Sequence, residues 1–278
     1  MRRLYGDVIL VIGASSGMGK AIAQELSQEG YKVYGTSRKA VFPHAAPERN
    51  LAGGFIQMIP LDVCSEDSVR AGFDYVVGIE GHIDILINCA GYAIAGAIED
   101  TTPEEAYREF NTNFFGAHRV CRNIAPIMRK QGRGLIINIS SVAGLVSIPF
   151  QSFYSASKYA LDALTEALRL ELKPFGVKVS LISPGDTKTE FTKNRVFAEG
   201  AAAESAYAGA FKRSVDRMIK DEQNGPPPDG IVRAVRRIIN SKNPPVRIVV
   251  GPVNKLFAFL LRILPSRLIS YIVGKMYA

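Results

Sequence analysis

The chain has 278 residues, 47% of them hydrophobic, and a formal net charge of +8. This length fits one α/β domain with a sizeable core. No run of about 18 apolar residues is free of charge and proline, so no membrane-spanning helix is expected. The first apolar run begins at Asp7, so no secretory signal peptide is expected before it.

The positive charge is concentrated in the last third of the chain. Residues 188–278 hold 16 Lys and Arg against 7 Asp and Glu, whereas residues 1–187 hold 18 against 19. Because no helix-turn-helix, zinc-finger or RNA-binding signature accompanies the excess, no nucleic-acid partner is expected. Cys64, Cys89 and Cys121 are odd in number and lack metal-ligand spacing. We therefore expect reduced thiols in a cytoplasmic protein and no metal site.

Apolar, β-rich runs alternate with helical patterns along the chain. In order, the seven runs are DVILVIG, YKVYGTSR, FIQMIPLDV, IDILINCAG, GLIINISS, VKVSLISPG and VRIVVG. Near-continuous apolar strands indicate burial on both faces, and β–α alternation indicates a parallel sheet with crossover helices. The pattern predicts a single-domain, doubly wound α/β Rossmann fold over residues 1–251. We expect a seven-stranded parallel sheet from the seven runs, with helices on both faces.

The first run ends in a glycine-rich turn, VIGASSGMGKAIA at residues 11–23. A mononucleotide-binding loop would need glycine where Ala14 stands and a hydroxyl where Ala21 stands. The spacing of Gly13, Gly17 and Gly19 instead predicts a turn that brings backbone close to a dinucleotide pyrophosphate at a helix N-terminus.

The second run ends in Arg38 and Lys39, without an acidic residue. NAD-binding chains place Asp or Glu there to hold the ribose 2′-hydroxyl, whereas an arginine accommodates the 2′-phosphate of NADP. We therefore predict NADP(H) as the cofactor, with the planar guanidinium of Arg38 on that phosphate.

An acid–base pair is predicted in the stretch FYSASKYAL. Tyr154 and Lys158 lie four residues apart in a helical pattern and so share one face. A nearby ammonium lowers the pKa of a phenol, which suits the tyrosine for proton transfer. Ser141 ends the strand LIINISS, so its hydroxyl is expected at the carboxyl edge of the sheet, beside the substrate.

Together these motifs resemble the short-chain dehydrogenase/reductase family over residues 8 to 190, and its hydroxysteroid and retinol dehydrogenase-like members in particular. The resemblance implies hydride transfer between nicotinamide and a carbonyl or alcohol carbon. Ser141 would orient the oxygen, Tyr154 exchange the proton, and Lys158 lower the tyrosine pKa and hold the ribose hydroxyls. Asn113 would hold a proton-relay water through its backbone carbonyl. The cofactor-binding positions are Gly13, Ser15, Ser16, Gly17, Met18, Gly19, Arg38, Asp62, Val63, Asn88, Ala90, Gly91, Tyr154, Lys158, Pro184, Gly185, Thr187 and Thr189.

The chain departs from the family pattern at two positions. Ile12 stands where the family usually has a threonine that orders the glycine turn, and Cys89 replaces the second asparagine of the NNAG motif. We expect small changes in turn stability and local packing rather than in catalysis.

Two segments lie outside the β–α alternation. Residues 187–228 follow the sixth run and are predicted to form a substrate lid. Residues 252–278 are very apolar, contain no Asp or Glu, and are divided by Pro265 into two short amphipathic helical pieces. This C-terminal extension either packs on its own domain or a partner subunit, or lies on an anionic membrane surface.

The leading interpretation is an NADP(H)-dependent oxidoreductase acting on a lipophilic carbonyl or secondary alcohol of steroid, retinoid or acyl-chain type. We expect a homodimer or homotetramer, joined through the helix of Tyr154 and Lys158, in the cytoplasm or peripheral to a membrane. The apolar positions expected to line the substrate pocket are Leu145, Val146, Ile148, Pro149 and Phe150. The alternative is a catalytically silent NADP-binding regulator or scaffold of the same fold, which would have no need of all four catalytic residues.

Overall fold

The computed structural model describes residues 3–277, and the strands within them are numbered in chain order. They are β1 (Val8–Ile12), β2 (Lys32–Ser37), β3 (Phe55–Pro60), β4 (Ile85–Asn88), β5 (Ile94–Ala95), β6 (Gly134–Ile139), β7 (Val177–Ser183), β8 (Val196–Phe197) and β9 (Arg247–Val249). Seven strands form one parallel sheet in the order β3-β2-β1-β4-β6-β7-β9, and β5 pairs with β8 in a separate two-stranded ribbon.

The helices surround this sheet. They are α1 (Gly17–Gln28), α2 (Glu66–Glu80), α3 (Pro103–Phe110), α4 (Ala117–Gln131), α5 (Ser152–Leu172), α6 (Ala208–Gln223), α7 (Asp229–Ile239), α8 (Pro252–Ile263) and α9 (Ser266–Tyr277). A π-helical segment, Asn111–Gly116, joins α3 to α4. Among the helices of residues 3–277, none combines the length and apolar character that crossing a bilayer requires.

Strand β1 shows why the sheet is covered on both faces. Ile9 and Val11 belong to the core cluster that includes α1 and α7, whereas Val8, Leu10 and Ile12 belong to the cluster that includes α2 and α4. Successive side chains of a strand point to opposite faces. Because burying each aliphatic side chain contributes about 1.5–3 kcal/mol, this alternation fixes a helical layer on either side. The predicted doubly wound fold is confirmed.

The strand order places a crevice beside β1. From β1 the chain proceeds outward to β2 and β3, and then crosses to β4 on the other side. Ligands of doubly wound sheets bind beyond the carboxyl ends of the strands at such a reversal. The turns after β1, β2 and β4 therefore meet at one crevice.

The predicted lid and tail have regular structure. Within 187–228, β8 is tied to β5 by the pairing of Val196 with Ile94, and α6 follows. In the C-terminal extension, Pro265 separates α8 from α9, and α9 packs against α6 of the lid.

Candidate active site

The turn after β1 needs glycine because its backbone conformation and close packing leave no room for side chains. Gly13 and Gly17 have φ angles of 77° and 53°, a region that favours glycine. A Cβ at Gly19 would lie 2.2 Å from the carbonyl oxygen of Gly13. Ser16 caps α1 without a side-chain hydrogen bond, and the first turn of the helix holds no acidic residue. The first amides of α1 therefore remain available to an anion.

Hydrogen bonds with the neighbouring strand β2 hold this glycine turn in place. The hydroxyl of Thr36, near the end of β2, accepts a hydrogen bond of 3.1 Å from the backbone N–H of Gly13. The N–H of Ala14 donates to the carbonyl of Thr36 at 3.0 Å. Ile12 is buried in the core, so a hydroxyl on β2 orders the turn in this chain.

The next two strand ends carry the residues predicted for the adenosine half of the cofactor. Arg38 and Lys39 follow β2 directly and are exposed; neither forms an ion pair within residues 3–277. After β3, the carboxylate of Asp62 accepts a hydrogen bond of 2.9 Å from the N–H of Cys64. Asp62 therefore also closes the local turn next to Val63.

The segment after β4 lies against the glycine turn. A Cβ at Gly13 would lie 3.2 Å from the amide nitrogen of Ala90, and one at Gly91 would lie 3.1 Å from Oδ1 of Asn113. Asn88 accepts a hydrogen bond of 3.3 Å from the N–H of Ala90. Burial raises the pKa of the Cys89 thiol to about 12, which keeps it protonated and unreactive.

Ser141, Tyr154 and Lys158 converge on one cleft. Ser141 caps a short 3₁₀ turn after β6, where its Oγ accepts a hydrogen bond of 3.1 Å from the N–H of Ala143. Tyr154 and Lys158 lie one turn apart on α5 and are buried. The Lys158 Nζ lies 5.7 Å from the centroid of the Tyr154 ring and donates to the carbonyl of Ile139 at 3.2 Å.

Burial sets the protonation of this group. Desolvation raises the pKa of Tyr154 well above its ordinary value, and a hydrogen bond with Ser141 opposes that rise. Desolvation also lowers the pKa of Lys158 to about 8, against the opposing charge of Asp162. Both groups are thereby held closer to their neutral forms than they would be in water.

Asn113 lies behind this group in the π-helical segment. Its side chain is fully buried; Nδ2 donates to the carbonyl of Tyr92 at 2.9 Å and to Oγ of Ser157 at 3.1 Å. Its Oδ1 accepts from the N–H of Tyr92 at 3.0 Å. Asn113 therefore joins the segment after β4 to α5, and π-turns of this kind are frequent at functional sites.

The turn after β7 forms the opposite wall of the cleft. Among the predicted positions, those that line it are Met18, Gly91, Ser141, Tyr154, Lys158, Pro184, Gly185, Thr187 and Thr189. A Cβ at Gly185 would lie 2.3 Å from the side chain of Asn254 in the first turn of α8. The C-terminal extension therefore braces the wall predicted to hold the nicotinamide, a contact that the sequence did not suggest.

The prediction for the substrate pocket was largely wrong. Of the five apolar positions from Leu145 to Phe150, only Ile148 lines the cleft. Val146 is buried, and Phe150, with a φ of 62°, packs its ring 5.7 Å from that of Phe211 in the lid. Phe150 therefore packs on the lid instead of lining the cleft.

Sequence reasoning missed a polar cluster on the lid side of the cleft. Gln151, Asp186 and Glu222 line it. Glu222, in the last turn of α6, pairs with Arg195 and accepts a hydrogen bond of 2.6 Å from the hydroxyl of Thr192. With its amide turned so that the oxygen faces Arg195, Gln151 accepts two hydrogen bonds of 3.1 Å from the guanidinium. No local pattern in the sequence indicated this arrangement, because α6 carries four cations against three acidic residues.

Two buried glutamates of α3 hold the β5–β8 ribbon beside the cleft. Glu105 accepts a hydrogen bond of 3.0 Å from the N–H of Glu199, and Glu109 accepts one of 3.2 Å from the N–H of Ile94. Burial raises the pKa of Glu109 to about 8. Thr102 and Glu105 also form a capping box, and this motif was the one signal in the sequence for either residue.

A separate group of possible metal ligands lies at the other edge of the sheet. Oxygen and nitrogen atoms of Asp7, His82 and Asp84 lie within 4.8 Å of one another. The buried carboxylate of Asp84, however, accepts hydrogen bonds from the N–H groups of Asp7 and Val8 and pairs with Arg133. These contacts give the Asp84 carboxylate a structural role, because they join the amino ends of β1 and β4.

Comparison with known proteins supports the geometry. The profile of the short chain dehydrogenase family matches residues 7–199. A protein of Bacteroides thetaiotaomicron named 3-ketodihydrosphingosine reductase is 45% identical over 273 residues, which cover 98% of each chain.

Solved structures share the fold. A short chain dehydrogenase/reductase from Burkholderia phymatum, in complex with NAD, has a TM-score of 0.76 at 24% identity and 94% coverage of both chains. ElxO, with NADP bound, has a TM-score of 0.69 at 25% identity, covering 88% of this chain and 97% of that chain. The first of these proteins therefore binds NAD and the second binds NADP.

Proposed function

Because the chain belongs to the short-chain dehydrogenase family of oxidoreductases, we propose that it is an NADP(H)-dependent enzyme that reduces the ketone of a lipophilic substrate. The observation that carries the proposal is the convergence of Ser141, Tyr154 and Lys158 on one cleft, with Asn113 behind them. Their arrangement supports the roles that the sequence motifs imply.

The residues present fit the cofactor. The turn at Gly13, Gly17 and Gly19 leaves free the space that a side chain would fill and directs the first amides of α1 outward. This is the arrangement in which a pyrophosphate binds. Arg38 and Lys39 follow β2 and have no ion-pair partner within residues 3–277. They support NADP over NAD because a cation there suits a 2′-phosphate.

The chemistry of the side chains follows from their contacts. A bound nicotinamide supplies the hydride. The Oγ of Ser141 accepts from Ala143, so its own proton remains for the substrate carbonyl oxygen. Tyr154 gives its phenolic proton to the developing alkoxide, and the ammonium of Lys158 stabilises the phenolate that results.

Apolar groups near the cleft favour a lipophilic substrate. Ile148 and Phe191 line it, and the rings of Phe150 and Phe197 pack on Phe211 of the lid at 5.7 and 6.0 Å. Among steroid, retinoid and acyl-chain ketones, we favour the acyl-chain type, because the relative from Bacteroides thetaiotaomicron is named a 3-ketodihydrosphingosine reductase. The likeness to hydroxysteroid and retinol dehydrogenases stays a prediction.

A Tyr154→Phe variant tests this function. Phenylalanine keeps the ring and removes the proton donor, so the variant should bind NADPH as the wild type does. We expect a loss of turnover of at least about a hundredfold, measured as NADPH oxidation with 3-ketodihydrosphingosine. A Tyr159→Phe variant, one residue after Lys158 on the exposed side of α5, is the matched control.

The same pair of variants decides between catalysis and the silent alternative. A regulator or scaffold would bind NADPH, yet neither the wild type nor the variant would oxidise it with any ketone. Equal turnover by wild type and Tyr154→Phe would instead overturn the assignment of the proton donor.

The C-terminal extension supports peripheral contact with an anionic membrane. Val253, Leu256, Phe259 and Ile263 lie along one side of α8 and are 58–77% exposed; we call them the tail surface. Other apolar residues of α8 are half-buried and form its packed side. Because 252–278 contain four cations and no acidic residue, the tail surface fits the boundary of an anionic bilayer.

The outer side of α5 supports a subunit contact. The exposed apolar positions of α5 follow a helical spacing, and two exposed acids, Glu166 and Glu171, border them. These apolar positions are Ala156, Tyr159, Ala163, Ala167 and Leu170. Leu170 is 69% exposed. A homodimer or homotetramer joined through α5 would cover this stripe, and the cytoplasm, with its reduced NADP pool, is the compartment that suits such a reductase.

A further inference from the structure

The lid side of the cleft carries an uncompensated negative charge. The carboxylates of Asp186 and Glu222 line it, and that of Asp221 lies within electrostatic range of Asp186. Arg195 pairs with Glu222, and Arg217 pairs with Asp221 at 2.6 Å. Throughout residues 3–277, Asp186 has no ion-pair partner. One carboxylate therefore faces the cleft without a cation.

The protein surrounding Asp186 opposes its ionisation. Asp186 is exposed and lines the cleft. Desolvation by the surrounding protein, followed by the negative charges of Glu222 and Asp221, raises the pKa of its carboxyl to about 6. Arg195 acts in the opposite direction, and Arg217 and Tyr277 also lie within electrostatic range. A cation in the cleft would relieve this unfavourable charge.

The position of Asp186 defines where that cation sits. Asp186 lies between Gly185 and Thr187, in the turn predicted to hold the nicotinamide, and lines the same cleft as Tyr154. The carbonyl carbon must lie between the nicotinamide and the tyrosine. A substituent on the adjacent carbon lies within the same cleft, in which Asp186, Gln151 and Glu222 provide the polar surface.

Resting on the proposed function, we propose that Asp186 binds a cationic amine on the carbon next to the reacting carbonyl, so that the preferred substrates are long-chain 2-amino ketones. The carboxylate forms a charge-assisted hydrogen bond with the ammonium. Glu222, held by Arg195 and Thr192, adds negative potential beside Asp186. Asp186 is then a specificity-determining residue and takes no part in proton transfer.

Two ketones that differ in the amine test the proposal. NADPH oxidation is measured with 3-ketodihydrosphingosine and with 1-hydroxyoctadecan-3-one, which has the same chain and hydroxyl but lacks the amine. Asp186→Asn should lower kcat/KM for the amino ketone by about tenfold or more, mainly through KM, and change that for the other ketone by less than about twofold. Glu190→Gln, an exposed acid later in the same segment, should change neither value.

A pH series gives a second readout. As the pH falls through about 6, Asp186 gains a proton and loses its charge, so the KM for the amino ketone should rise in the wild type. The Asp186→Asn variant should not show this rise, and neither should the wild type with the ketone that lacks the amine.

The outcomes separate the two proposals. If the wild type reduces both ketones with equal efficiency, or if Asp186→Asn impairs both equally, amine recognition is wrong and the reductase function stands. If the wild type reduces neither ketone while binding NADPH, the proposed function is wrong and the inference falls with it.

Discussion

Arg38 is the residue on which the choice of cofactor depends. It is exposed at the carboxyl end of β2, beside the crevice at which the ends of β1, β2 and β4 meet. An Arg38→Asp substitution replaces a phosphate ligand by a group that repels phosphate and attracts ribose hydroxyls. We expect the affinity for NADPH to fall by about 10- to 100-fold, while that for NADH is unchanged or rises.

Fluorescence titration of both cofactors on the wild type and the variant checks this prediction. Arg49→Asp is a suitable control, because Arg49 is exposed in the loop before β3. Equal affinities of the wild type for NADPH and NADH would contradict the assignment of Arg38.

At the scale of single residues, the sequence predicted the relative positions of side chains that are close together in the chain. Tyr154 and Lys158 share a face of α5 because they are four residues apart. It did not predict that Thr36 orders the glycine turn, because the two segments meet only through strand pairing. Nor did the sequence identify Asp186 and Glu222 as neighbours, since lid and turn come together only in the folded chain.

Helix α8 is the element whose exposed side has the most apolar character. Leu256 and Phe259 are 60% and 58% exposed, so replacing both by glutamate should leave folding intact. The double variant should bind vesicles containing phosphatidylglycerol at least about tenfold more weakly than the wild type. Wild-type binding should weaken with salt, because Lys255 and Arg262 border the tail surface.

Vesicle co-sedimentation measures this binding, with thermal unfolding as a check on the fold. Leu51→Glu is the matched control, because Leu51 is fully exposed in a loop before β3. If wild-type protein sediments no better with anionic vesicles than with neutral ones or alone, then the tail surface serves a protein contact.

The boundaries of strands and helices could be predicted where an apolar run ends at a proline or glycine. The seven apolar runs became the seven strands of the main sheet, and Pro265 separates two helices as expected. The lid, by contrast, was predicted without internal structure. Its pairing with β5 rests on backbone hydrogen bonds of Val196 and on the buried carboxylates of α3, which no local pattern reveals.

The exposed stripe on α5 predicts the assembly of the whole molecule. Ala163 lies at its centre, so Ala163→Arg would place a charge in a subunit contact between two copies of α5. We expect this variant to be monomeric by light scattering, while the wild type is a dimer or tetramer. Ala202→Arg, on an exposed lid loop, should retain the wild-type mass. A monomeric wild type would contradict the prediction.

The Rossmann fold was predictable from the sequence because doubly wound sheets arise from a repeated rule. Each buried strand requires helices on both faces, and the strand order follows from short crossovers. How the C-terminal extension docks was not predictable, since its helices are apolar on more than one side and their amphipathic pattern fits several partners.

The contact between Gly185 and Asn254 has a consequence for how this chain can change. Asn254 lies in the first turn of α8, yet its side chain supports the Gly185 turn, which lines the same cleft as Tyr154. Deleting the chain after β9 would therefore also remove a support of the cleft wall. The first turn of α8 supports the cleft, so a change in the C-terminal extension at this point would also alter the wall beside the reacting centre.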